Sequence, residues 1–142
     1  ISLIVFISIM FRNHYILAFI IVLSQLISDY FLGYYSSMFF VYLGYVSIAI
    51  ASKYIFKELN FIHVIGTSCI SVLIFYLISN YGVWQMMDLY QYNFYGLMQC
   101  YIAGIPFLKY SLISTLLYST TIYMLFKFTL SKYLDTERAL YK

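Results

Sequence analysis

Three times in the first eighty residues the chain runs about twenty positions with no more than one Asp, Glu, Lys or Arg. The runs are Tyr15 to Gly33, Ser36 to Ile55 and Phe61 to Ser79, and they are continuously apolar rather than alternating. About 20 apolar residues, rising about 1.5 Å each, cross a hydrocarbon core of about 30 Å. Barrel strands would alternate, so continuous runs point to helices. The chain therefore reads as all-α, a polytopic transmembrane helical bundle. Composition agrees: 9% of the 142 residues are charged and the mean hydropathy is +0.88, whereas a soluble domain carries about 25% charged residues. One domain is the natural count at this length.

Six spans are expected. Ile1 to Phe11 reads as the clipped end of a first span, its beginning upstream of the sequence or removed by processing. The three long runs are the second, third and fourth spans. Gly33 closes the second, and Gly44, Ser47 and Ala51 give the third a small-residue packing face. The longest loop follows, Asn80 to Asn93. Phe94 to Ile105 then makes a fifth helix of about twelve residues, about 18 Å long and clearly the shortest. Pro106 lacks a donor and disfavours helical geometry at Ile105, so it breaks the fifth helix from the sixth, Tyr110 to Leu130. A break also keeps Lys109 away from the membrane centre, where a cation is costly. Residues 131–142 form a charged tail.

Positive charges do not orient this arrangement. Arg12, Lys53, Lys57 and Lys109 fall on one side of six spans, and Lys127, Lys132, Arg138 and Lys142 on the other. A re-entrant fifth helix is the alternative: it would carry the tail across to join Arg12, Lys53 and Lys57. The net charge of +3 comes from scattered groups with no basic stripe, which excludes a nucleic-acid surface.

No Ser-His-Asp or Cys-His arrangement, phosphate-binding loop or H-E-x-x-H motif occurs, so a non-enzymatic role is expected. Cys69 and Cys100 each lie inside an apolar run without C-x-x-C spacing or a His at ligand spacing. They read as buried inert thiols, and no metal or cofactor is expected. Asp29 is the acidic residue placed deepest in an apolar run. It is either a structural hydrogen-bonding group at a helix end or a contributor to a polar site. Gly96, Cys100 and Gly104 stand at i, i+4 and i+8, a stripe that lets another helix approach backbone to backbone. Ser111, Ser114, Tyr118 and Thr121 form a polar stripe suited to interhelical hydrogen bonds. The aromatic loop holding Tyr81, Trp84, Tyr90, Tyr92, Phe94 and Tyr95 is either an interfacial belt at headgroup depth or the wall of a ligand pocket with Asn80, Gln85 and Asn93 as polar contacts. In the pocket reading Asn80, Trp84, Tyr90 and Asn93 are the binding residues.

The stretch Ser79-Asn80-Tyr81-Gly82-Val83-Trp84, followed by Tyr90, Gly96-Leu97, Cys100-Tyr101, Ala103 and Ile105-Pro106-Phe107, resembles a family of small bacterial membrane proteins. That family in turn looks like the substrate-binding S components of energy-coupling-factor vitamin transporters. Ser28-Asp29 and Leu32-Gly33 match further upstream. After Tyr90 the family tends to carry Pro, Arg and Thr, where this chain has Gln91, Tyr92 and Asn93; an anionic-ligand contact through that Arg is missing. The resemblance implies a small-molecule ligand and other membrane subunits as partners.

Two functions from different classes follow. One is a solute-binding module for small-molecule uptake. The other is a structural or accessory subunit of a larger membrane complex, such as an organellar respiratory-chain or ATP synthase assembly. The abundance of Ile, Phe and Tyr with little Pro accompanies AT-rich genomes, so a bacterial or mitochondrial inner membrane is the expected location.

Overall fold

The computed structural model describes residues 1–4, 14–55 and 60–140. These are helical throughout, apart from short turns. The helices are α1 (His14–Leu32), α2 (Met38–Ile55), α3 (Phe61–Met86) and α4 (Phe94–Leu140), and residues 2–4 are helical as well. The rest of the expected first span, and Arg12, Lys57 and Glu58, lie outside the described residues.

Local chemistry sets each boundary. Gly33 ends α1 with φ +96° while its N–H donates to the Asp29 carbonyl at 2.8 Å; a left-handed Gly is the common helix stop. Asn60 caps α3, its Oδ1 accepting from Ile62 N. Asn93 caps α4, its Oδ1 accepting from Gly96 N at 2.8 Å and its carbonyl from Leu97 N at 3.0 Å.

α3 is the central helix, with α2 and α4 both packed on it and α1 packed on α2. Against α2, Gly44 admits Phe75: a Cβ at Gly44 would stand 3.0 Å from that ring. Ser52 and Ser71 approach at 3.5 Å. Against α4, Ser68 donates to Ser119 at 2.8 Å. The first residues close the row into a bundle. Ser2 Oγ donates to the Thr115 carbonyl of α4, and Ile1 and Ile4 pack against the buried Ile48, Val64 and Tyr123. Much of the remaining apolar surface faces outward.

Three expectations are corrected. α4 is one 47-residue helix that runs through Pro106, so neither a short fifth helix nor a break exists, and six spans are not seen. A proline interior to a helix costs one hydrogen bond, here to Ile102, and crowds that carbonyl. Contacts to α3 on both sides of it, at Gly104 and Ser119, hold the helix direction regardless. Second, α3 continues to Met86, which shortens the loop to residues 87–93. Asn80 and Ser79 fit within the helix because they bond back to the Tyr76 carbonyl. Gly82 serves a close approach rather than a turn: a side chain there would collide with Phe40. Third, the packing face of α2 is turned by one position from Ser47 and Ala51 to Ile48 and Ser52, both fully buried.

Two helical segments, Phe61–Met86 and Phe94–Thr129, are long and apolar enough to cross a membrane; shorter apolar stretches are Phe19–Phe31 and Met38–Ser52. Only 28% and 17% of the most apolar windows of the two long segments are buried, so most of their apolar surface faces outward.

Candidate functional site

The last three turns of α3 and the first three of α4 are joined by a dense set of backbone-directed hydrogen bonds. Tyr76 Oη donates to the Tyr101 carbonyl and Tyr101 Oη returns a bond to the Leu77 carbonyl at 2.9 Å. Their rings meet edge to face at 5.7 Å. Cys100 Sγ donates to the Asn80 carbonyl at 3.3 Å. Gly96, Cys100 and Gly104 are all buried on this face. A Cβ at Gly104 would stand 2.5 Å from Asn80 Oδ1, and one at Gly96 would collide with the Gln91 carbonyl.

Between the helices lies a cavity of about 300 Å³. Ser79, Asn80, Tyr90 and Cys100 give it a polar side, and Val83, Ala103, Gly104 and Phe107 an apolar one. A smaller void of about 60 Å³ shares Ser79, Asn80 and Phe107 and continues toward Val72, Leu108 and Ser111. The lining offers amide, hydroxyl, phenol and thiol groups and no charged side chain. Such a set recognises a neutral molecule by hydrogen bonding and apolar contact, and it has no cation to hold an anion.

The five expected ligand residues separate. Asn80 and Tyr90 line the cavity. Trp84 does not: its Nε1 donates to the Gln91 carbonyl at 3.0 Å and staples the loop to α3. Trp84 also joins a row of rings, 5.6 Å from Tyr81 and 5.8 Å from Tyr92. Asn93 is the α4 cap, with Nδ2 donating to Gln91 Oε1. Asp29 stands elsewhere, between α1 and α2. It is buried, and its Oδ2 accepts from Tyr42 Oη at 2.6 Å. In the adjoining turn, burial and then the Asp29 charge push the Tyr35 phenol pKa up.

The loop holds itself together. Tyr92 Oη donates to Asp88 Oδ1 at 2.7 Å, with the Gln85 carbonyl a second acceptor at 3.2 Å. The hydrogen bond to Asp88 is the main cause of a raised Tyr92 pKa. Asp88 itself adopts φ 45°, a left-handed conformation that Asp tolerates better than most residues.

The polar stripe expected on the later part of α4 is corrected. Ser114 and Thr121 are exposed and bond back to their own helix at Ser111 and Leu117. The hydroxyl of α4 that bonds to α3 is Ser119, which accepts from Ser68, while Thr115 lends its backbone carbonyl to Ser2. Three further contributors had no ligand-lining role assigned from sequence. Cys100 walls the cavity as well as packing the seam, and Ala103 and Phe107 supply its apolar side. Among the described residues no group of three His, Cys, Asp or Glu could hold a metal.

Neither curated proteins nor solved structures give a match. Residues 1–139 match the profile of a family of unknown function, DUF6580. The chain, matched over nearly its whole length, belongs to that family.

Proposed function

We propose that this chain is an integral membrane protein that holds a small neutral solute between α3 and α4, in the manner of the S components its central motif resembles. One observation carries the reading. The cavity of about 300 Å³ lies between the two segments long and apolar enough to span, and its polar wall comes from the Ser79-to-Phe107 motif. Small-molecule sites begin at about 300 Å³ and combine apolar walls with a few polar groups that fix orientation. The uncharged lining narrows the ligand to a neutral, hydrogen-bonding molecule.

The test uses the full chain extracted from native membranes in mild detergent and weighed by native mass spectrometry. The parent is expected to carry a small-molecule adduct, and Ala103→Phe, which fills the cavity, is expected to lose it. A parent without adduct, stabilised by Ala103→Phe, would make the cavity an empty packing defect.

A structural role in a larger membrane complex is the second reading, favoured by the bare outer face of α4. Co-purification of a nucleotide-binding ATPase pair supports the first reading. Oxidoreductase or ATP synthase subunits support the second.

A further inference from the structure

Continuity through Pro106 fixes the depth of Lys109. Ser119 of α4 meets Ser68 of α3 on one side of it, and Tyr101 meets Tyr76 on the other. Val72 and Leu108 line the same small void. Lys109 is therefore level with the middle of α3, whose 26 residues extend about 19 Å to either side. When α3 crosses the membrane, Lys109 lies near the midplane.

Lys109 also faces away from α3. It is exposed and belongs to a stripe of Met98, Ile102, Ile105, Lys109 and Ile113, whose apolar members are 45%, 60%, 52% and 48% exposed. The steps of four, three, four and four residues keep one helix face. An ammonium there has few outlets. Its four-carbon stem cannot reach headgroups about 15 Å away, half the core thickness. The two carboxylates with described side chains are engaged elsewhere: Asp29 is buried with Tyr42, and Asp88 accepts from Tyr92 in the loop. Asp135 and Glu137 lie about 40 Å further along α4.

We propose that this stripe docks a transmembrane helix of a partner protein that carries an Asp or Glu at mid-depth, paired with Lys109. Intramembrane cations are rare and pair with acids or line polar paths, and the apolar residues on both sides supply the packing surface such a helix needs. A second copy does not fit, because the same stripe would set Lys109 against Lys109. The inference rests on the membrane reading above and names the partner that reading requires.

Native gels of mild-detergent extracts from source membranes test it, with alkaline carbonate extraction run in parallel. The parent and Lys109→Arg are expected to migrate in a complex above monomer mass. Lys109→Leu and Lys109→Glu should lose that band, as should Ile113→Trp, which blocks the stripe without touching the charge. A photo-crosslinker at position 105 should attach to a membrane segment containing Asp or Glu. Unchanged migration of Lys109→Leu and Ile113→Trp, a monomeric parent, loss of the band in Lys109→Arg, or a crosslinked segment without an acid each overturns the pairing. A chain released by carbonate overturns the membrane reading and this inference together. Retention in the membrane with unchanged complexes overturns this inference alone.

Discussion

At the scale of single residues, Asn80 and Asn93 show how one residue type serves opposite ends. Asn80 lies inside α3, satisfied through Nδ2 by the Tyr76 carbonyl at 2.8 Å, with Oδ1 directed at Gly104. Asn93 stands outside α4, and its side-chain Oδ1 accepts from Gly96 N. Asn93→Ala should therefore destabilise by about 1 kcal/mol, the usual worth of an N-cap, while leaving any cavity ligand in place; melting and native mass spectrometry of the same sample check both halves. Gly104→Leu is expected to cost about 1–3 kcal/mol from overpacking against Asn80, seen as a lower melting temperature in detergent, and to expel the ligand. An unchanged melting temperature would mean that the seam opens freely. Small residues at spacing four stand out in a chain of large ones; of that stripe Cys100 and Gly104 meet Asn80 of α3, whereas Gly96 meets the Gln91 carbonyl of its own turn. Asn93 was misassigned because an amide beside aromatic residues looks the same in sequence whether it faces a ligand or a helix end. Val83, Ala103 and Phe107 stood in the recognised motif but carried no sign of a lining role: one apolar residue among many does not announce that it lines a void.

At the scale of elements, α4 decides the architecture. Proline inside a helix costs about 3 kcal/mol relative to Ala, a sum that sequence reasoning spends on ending the helix. Here the partner helix holds α4 through Tyr101 and Cys100 before Pro106 and through Ser119 after it. Interactions between elements thus outweigh a local preference, and a single sequence does not display them. The cavity gives the proline a use, since Ala103, Gly104 and Phe107 flank Pro106 and line it. Pro106 is exposed, so Pro106→Ala removes little packing and restores a donor to the Ile102 carbonyl. The variant should melt higher than the parent and retain less of any cavity ligand. A higher melting temperature with full retention would show that the proline does not shape the site. The stop at Gly33 was legible because a left-handed Gly is a local signal, and the start of α3 because an apolar run begins at Phe61.

At the scale of the whole molecule, joining the expected fifth and sixth spans changes where the charges fall. With α4 as one crossing, Lys53 near the end of α2 and Lys127, Lys132 and Arg138 along the end of α4 come to the same end of the bundle. The turns at residues 33–37 and 87–93, at the other end, contain no Lys or Arg. Among the described residues the tie reached with six spans dissolves, and where α4 crosses a membrane Lys109 is left at mid-depth. An excess of Lys and Arg marks the cytoplasmic or matrix side, so the carboxyl-terminal end should face that compartment and the 87–93 turn the opposite one. Cysteines introduced as Leu89→Cys and Thr136→Cys separate the possibilities, with labelling of the parent as background. A membrane-impermeant maleimide added outside intact cells or mitoplasts should label position 89 at once and position 136 only after the membrane is opened. Labelling of both from outside would mean that α4 enters and leaves on one face, and that its continuity through Pro106 does not make it a span. Reversed labelling would keep the crossing but overturn the charge argument for its direction.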